Sequence, residues 1–287
     1  MYHVGKYDAG LASLPDGYEN RCLGYTRVPL VDHNTGSVHM GLGICELAPG
    51  GTIDTHFHSY EEGFYILDGE LILGREASSY RLGRDDYGVI QTGVSHSWRN
   101  DGASPVRWLN MLAPQPKPAG RGKDTWWEGG EAPTQASPPV LDDPRTRYLG
   151  HFSEDQLPEP SEIQMDGYRG GNISGISLKM LVDGFFGAQH LTMFIVQFVP
   201  GGGGNVHDHP FEESYFFLSG EAEGILDGEK HNVGPGSVVW SGVGGAHGFF
   251  TQGDHPARWL ETQAPQPPTQ GAFRFRRDWE EYLEGKG

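Results

Sequence analysis

Short apolar runs broken by glycine and proline dominate the chain. Val38 to Leu47 and His190 to Val199 are two such runs, and each ends at a Pro-Gly pair. Gly63 to Leu67 and Ser214 to Leu218 are richer in aromatic and β-branched residues, and they stop at Asp68-Gly69 and Ser219-Gly220. Runs of this length with these stops predict strands joined by tight turns. Helical signals are few. Asp142 to Leu157 is read as a short helix or helical turns. Phe273 to Leu283 places Phe, Trp, Tyr and Leu at helical spacing, which predicts a helix packed on the strands.

The pattern then repeats itself. Leu30-Val31-Asp32, Gly36, His39 and Pro49-Gly50-Gly51 recur as Leu181-Val182-Asp183, Gly187, His190 and Pro200-Gly201-Gly202. Further on, Arg107-Trp108-Leu109 and Ala113-Pro114-Gln115-Pro116 recur as Arg258-Trp259-Leu260 and Ala264-Pro265-Gln266-Pro267. Every pair is 151 positions apart, so the copies carry no insertion relative to one another. The chain is a duplication of one fold.

Histidines follow the repeat. Of the 13, eight pair across it: His39 with His190, His56 with His207, His58 with His209, and His96 with His247. Residues two apart on a strand share a face, so His56 and His58 point the same way, as do His207 and His209. A short turn returns Glu62 or Glu213 beside them, and His96 or His247 arrives from a later strand. Three imidazoles and a carboxylate suit Mn, Fe, Co, Ni, Cu or Zn better than Ca or Mg. Such a set leaves coordination positions open for water, O₂ or a substrate oxygen, as catalytic sites do. His39 and His190 lie outside this set, and their pairing fits either a structural role or a substrate contact.

Composition narrows the partners. The 287 residues include 44 glycines and 20 prolines, which favours turns over long helices. A formal charge of −17 repels nucleic acid and anionic membranes, and an anionic small molecule would need a local cationic centre. The expected partner is therefore a small-molecule substrate, and a homo-oligomer is compatible with the sequence. Two cysteines, Cys22 and Cys45, make no disulfide framework, which points to a reduced, cytoplasmic setting. Met1 to Leu14 shows no basic region followed by an apolar stretch, so no leader is expected.

In each copy the residues spell G-x5-H-x-H-x3-E-x6-G, from Gly50 to Gly69 and from Gly201 to Gly220. The chain thereby resembles the cupin family across both repeats. A second cupin motif is looser here. Asp85 and Gln91 stand for its first glycine and its proline in the first copy, while Gly242 and Thr251 stand for its proline and asparagine in the second. The resemblance implies an all-β fold, a duplicated double-stranded β-helix of two jelly-roll barrels with few short helices. It places barrels at 28–116 and 179–267, an arm at 1–27, a connector at 117–178 and a tail at 268–287. It also implies metal ligands His56, His58, Glu62 and His96 in one barrel, and His207, His209, Glu213 and His247 in the other. The expected cofactor is a divalent transition metal, up to two per chain, with Mn or Fe ahead of Ni, Cu or Zn.

Strand parity from the ligands predicts pocket walls. From Glu62 it gives Phe64 and Ile66, and from Glu213 it gives Tyr215 and Phe217. From His96 it gives Trp98 and Asn100, and from His247 it gives Phe249 and Thr251. Arg107 and Arg258 are read either as carboxylate anchors or as cation–π partners on the outside of the barrels. Gentisate dioxygenase-like two-barrel cupins hold iron by histidines alone, and ureidoglycine aminohydrolases have a degenerate first barrel. Oxalate decarboxylases keep two complete sites, but their first motif reads His-Trp-His. The ligand set here is most similar to that of quercetinase-like and related dioxygenases. The expectation is a metal-dependent dioxygenase for a small enol, diketone or aromatic compound, with Glu62 or Glu213 as proton acceptor. Tyr215 and the smaller Phe249 and Thr251 favour catalysis in the second barrel. A redox-neutral decarboxylase, isomerase or hydrolase is the alternative, and a non-enzymatic binding cupin is the third reading.

Overall fold

In a computed structural model of the chain, residues 1–118, 120–160, 172–268 and 273–275 are described. They form two ten-stranded antiparallel sheets, each curled into a jelly-roll barrel. The first sheet runs in the order Leu149–His151, Asp86–Ile90, Glu61–Asp68, Val106–Ala113, Gly41–His58, His96–Arg99, Leu71–Arg75 and Ser78–Leu82. Cys22–Val31 and Thr125–Trp127 add to it by pairing with Gly41–His58. The second runs Tyr2–Lys6, Ser237–Ser241, Glu212–Ser219, Ala257–Ala264, Thr192–Asp208, His247–Gln252, Glu221–Leu226 and Glu229–Val233. Ile173–Val182 and Arg274–Phe275 pair there with Thr192–Asp208. No helix among the described residues is long and apolar enough to cross a membrane.

The long strands Gly41–His58 and Thr192–Asp208 each bend at the Pro-Gly pair. Gly50 and Gly201 take φ values of 73° and 76°, the left-handed region that glycine enters without strain. Asn100 and Thr251 hold these bends. Asn100 Nδ2 donates to the carbonyls of Leu47 (2.9 Å) and Ser104 (2.8 Å). Thr251 Oγ1 lies 2.9 Å from the carbonyls of Val199 and Gly202.

The segment 142–157 forms two short 3₁₀ turns, Pro144–Thr146 and Glu154–Gln156, on either side of the strand Leu149–His151. The tail departs from its expected helix where it is described. Arg274 and Phe275 are extended and pair with Asp208 and His207, because a sheet edge there offers backbone partners. The rest of that segment lies outside the described residues.

Each barrel is closed by chain that precedes the other. Tyr2–Lys6 covers the edge strand Ser237–Ser241, and Leu149–His151 covers Asp86–Ile90. Between the barrels lies one apolar cluster, with Val31, Met40 and Met111 from the first repeat against Leu191, Met193 and Trp240 from the second. Polar groups cross the same seam in a reciprocal pattern. The Glu61 carboxylate accepts the backbone N–H groups of Gln189 and His190, both at 2.7 Å. The Glu212 carboxylate accepts those of Val38 (2.8 Å) and His39 (3.2 Å), and Ser37 Oγ lies 2.6 Å away. Gln115 and Gln266 hold the same turns from within their own repeats, through the carbonyls of Met40 and Ala188 (both 2.8 Å). The repeated His39 and His190 thus contribute backbone donors at the seam.

Replacing Glu212 by alanine removes the shared acceptor of the part-buried Val38 and His39 N–H groups and of the buried Ser37 hydroxyl. It is expected to lower the unfolding free energy by about 3 kcal/mol. Urea denaturation with an unchanged m-value is the measurement, and a loss under about 1 kcal/mol would show the clamp to be dispensable.

Candidate metal centres in two unequal barrels

Each barrel brings three imidazoles into contact at one end. In the first, the rings of His56 and His96 lie 4.2 Å apart, those of His56 and His58 4.7 Å, and those of His58 and His96 5.0 Å. All three side chains are buried. Their Nδ1 atoms face fixed partners: the Asp54 carbonyl (2.7 Å), Thr125 Oγ1 (3.1 Å) and the Val94 carbonyl (3.0 Å). A carbonyl can only accept, so Nδ1 carries the proton in His56 and His96, and Nε2 presents its lone pair inward. In the second barrel His207, His209 and His247 meet the carbonyls of Asn205 (2.9 Å), Phe211 (2.8 Å) and Gly245 (2.9 Å) in the same way.

The carboxylates complete the two clusters differently. Glu62 Oε2 lies 3.5 Å from His58 Nε2 and 3.6 Å from His96 Nε2. His96 Nε2 is buried and has no hydrogen-bond partner among the described residues. Glu213 Oε2 lies closer, 2.7 Å from His209 Nε2 and 3.1 Å from His247 Nε2. It also accepts the Tyr215 hydroxyl, and its other oxygen accepts the Gln263 amide. Side-chain atoms of His207, His209, Glu213 and His247 all fall within 4.8 Å of one another, as do those of His56, His58 and His96.

Electrostatics agrees with a cation at both places. Burial, reinforced by the neighbouring imidazoles, holds His56 well below the usual histidine range and His207 at about 3. Both are therefore held as neutral imidazoles, the form in which histidine can bind a metal ion. Burial would raise Glu62, but hydrogen bonding to His58 and His96 outweighs it and keeps the carboxylate ionised. Burial opposes ionisation of Glu213 too, and the charge of His209 overcomes it. Inward lone pairs beside a buried carboxylate need a positive centre, supplied by a proton on imidazole or by a metal ion. The donor sets fit a divalent transition ion in both barrels.

The space beside the two clusters is unequal. The first barrel holds a cavity of about 360 Å³ that touches His56, His58 and Glu62. Tyr18, Tyr25, Trp98 and Trp108 form its aromatic walls, and Arg27 and Asn110 supply polar groups. In the second barrel a cavity of similar volume touches His207 from the side of Asp208, Asp227 and Arg274. Glu213, His209 and His247 are absent from its lining among the described residues. Phe275 lies 5.1 Å and Phe273 5.6 Å from the His207 ring. Inside, Tyr215, Phe217, Phe249 and Trp259 pack into one aromatic cluster.

Of the residues expected on pocket walls, Trp98 lines the first cavity. Phe64 packs edge-on behind it, with centroids 5.3 Å apart. Phe217 and Phe249 belong to the filled interior of the second barrel, and Tyr215 is turned onto Glu213. Asn100 and Thr251 are engaged at the strand bends, away from either cluster. Parity names the face of a strand but not the depth along the barrel, and these residues sit past the ligand layer. Arg107 pairs with Asp68 (2.5 Å) on the outside. Arg258 pairs with Glu154 (2.7 Å) and lies over the Phe152 ring. Arg27 and Asn110 went unnoticed in the sequence. Their signal was a difference under the 151-residue offset, where Leu178 and Glu261 replace them.

Comparison with known proteins agrees with this architecture. Residues 43–112 and 194–262 match the family model described as Cupin domain. The tetracenomycin polyketide synthase protein TcmJ of Streptomyces glaucescens is 32% identical over 98 residues, 33% of this chain. That match spans 66% of the relative, just under two thirds of its length. Salicylate 1,2-dioxygenase from Pseudoaminobacter salicylatoxidans, solved with gentisate, aligns with a TM-score of 0.70 at 15% identity, covering 92% of this chain and 81% of the other. Oxalate decarboxylase from Lactobacillus farciminis, solved with formate, aligns at 0.65 and 16% identity over 96% and 89% of the two chains. The chain thus carries two matched Cupin domains, one in each jelly-roll barrel, with a histidine cluster in each.

Proposed function

We propose that the chain is a metal-dependent dioxygenase whose reaction takes place in the first barrel, on a small enol, diketone or aromatic compound. The observation that carries this reading is the aromatic cavity opening onto His56, His58 and Glu62, where the second barrel is filled. The proposal thus moves catalysis away from the second barrel that Tyr215 and Phe249 had favoured. Those side chains occupy the volume a substrate would need.

A cavity of about 360 Å³ suits a compound of one or two rings. Tyr18, Tyr25, Trp98 and Trp108 offer π-faces to a planar substrate and keep bulk water from it. When bound by the three imidazoles and Glu62, a transition ion would supply Lewis acidity toward a substrate oxygen and a redox centre for O₂. Glu62 is buried and ionised at the cavity wall, placed to accept the proton of an enol or phenol. Asn110 steadies it by donating Nδ2 to Oε1 (3.3 Å). The polyketide synthase relative supports enol and diketone substrates, since polyketides consist of those groups. It also favours a second reading, redox-neutral turnover of the same substrate, for which Glu62 as base suffices without O₂.

Two measurements test this. Elemental analysis should find up to two transition ions per chain. The double change His56→Ala and His58→Ala should remove one and leave the other, and loss of both from a folded protein would contradict independent sites. Oxygen uptake with a panel of enols, diketones and hydroxylated aromatics should fall about 100-fold or more in Glu62→Ala. Glu213→Ala should keep the larger part of it. Uptake that vanishes only in Glu213→Ala would move the reaction to the second barrel, and turnover without O₂ consumption would select the redox-neutral reading.

A further inference from the structure

The first cavity contains a guanidinium with no carboxylate at ion-pair distance among the described residues. Arg27, on the strand Cys22–Val31, lines the cavity that Glu62 also lines. Its Nε donates to Asn110 Oδ1 (3.0 Å), but Nη2 is buried and has no hydrogen-bond partner among the described residues. Arg81 pairs with Asp101 (2.7 Å), Arg99 with Glu131 (2.6 Å) and Arg107 with Asp68 (2.5 Å), while the buried Arg75, away from the cavity lining, donates to Gln91 Oε1 (2.6 Å) and lies over the Tyr148 ring. The neighbouring Cys45 thiol does not neutralise Arg27. Burial pushes its pKa up to about 12 against the opposing pull of the guanidinium. Arg27 is half-buried, and a buried N–H donor of a cation left without an acceptor is costly, so Nη2 marks a place where a ligand can supply the acceptor and the counter-charge.

The surroundings are shaped to hold it there. The guanidinium lies flat on Gly43, where any Cβ would come within 2.5 Å of Arg27 Cζ. Under the 151-residue offset this arrangement changes as a unit: Arg27 becomes Leu178, Gly43 becomes Phe194 and Asn110 becomes Glu261. Leu178 and Arg27 occupy matching ladder positions, opposite Val196 and Cys45. Where the first barrel keeps the Asn110 amide beside Arg27, the second carries Glu261, which accepts Trp259 Nε1–H (2.9 Å). The metal cradle is common to both barrels. The Arg27, Gly43 and Asn110 arrangement belongs only to the first.

Building on the first-barrel reading above, we propose that Arg27 is the anion subsite of this cavity. It takes a carboxylate carried by a planar, aromatic or enolic substrate whose other end faces the imidazoles. A guanidinium offers two parallel N–H groups to a carboxylate, which fixes the plane and the direction of the substrate at once. This supplies the local cationic centre that a chain of formal charge −17 needs in order to bind an anion.

The test uses metal-free protein and two isosteric probes, benzoate and the uncharged benzamide, titrated calorimetrically. The wild type should bind benzoate at least tenfold more tightly than benzamide. Arg27→Gln should abolish that preference with benzamide affinity unchanged, and Arg27→Lys should restore part of it. Arg27→Leu, the residue the second barrel carries at this place, serves as the variant of assured fit. Equal binding of the two probes by the wild type would overturn the proposal, and so would a benzoate preference that survives both Arg27→Gln and Arg27→Leu. Because neither metal nor O₂ takes part, these outcomes are separate from oxygen uptake. The subsite can fail while the dioxygenase stands, and the reverse.

Discussion

The carboxylate pair that begins the strand after each His-x-His is the constraint on which the rest of the molecule depends. Successive residues of a strand point to opposite faces, so Glu61 and Glu62 cannot serve the same side. Glu62 turns into its own barrel toward the imidazoles, and Glu61 turns outward to the Gln189 and His190 backbone of the other repeat. Glu213 and Glu212 do the same in reverse. Each metal cradle is therefore one residue away from a buried clamp across the seam. Sliding the strand by one residue would exchange the two roles and disrupt both. The apolar cluster between the barrels adds bulk stabilisation, but its contacts are non-directional and would not by themselves set that register.

Duplication then allowed the two interiors to diverge around a common cradle. Five of the six imidazoles face a backbone carbonyl through Nδ1, His58 faces the Thr125 hydroxyl instead, and both barrels cover the His-x-His strand with a short strap from the following chain. In the second barrel Tyr215 and Gln263 saturate Glu213, and aromatic rings fill the volume beyond. In the first, Phe64 and Leu112 occupy those positions, neither able to hydrogen-bond Glu62, and the space beside the cluster is open. The same ligand types consequently sit in different chemical settings. Each keeps one imidazole nitrogen without a hydrogen-bond partner among the described residues, His96 Nε2 and His209 Nε2, but only the first has an unpaired guanidinium nitrogen, Arg27 Nη2, beside its cavity.

What the sequence by itself determined was everything that rests on local period and on repetition. Pro-Gly stops marked the strand ends, the 151-residue offset revealed two equal folds, and paired histidines with Glu62 and Glu213 marked the metal cradles. These depend on backbone geometry and on spacing along one strand or hairpin, which a linear pattern carries. Depth, partners across the seam and filled volume do not follow from spacing. Asn100 and Thr251 share a face with the ligands yet hold strand bends, and Glu61 reads like a second acid beside Glu62 until the other barrel's turn is in place. Arg27 acquires meaning only when Gly43, two strands of one sheet and the Asn110 amide surround it. Whether a cavity stands open is decided by the joint packing of side chains far apart in the chain, and only the tertiary structure brings them together.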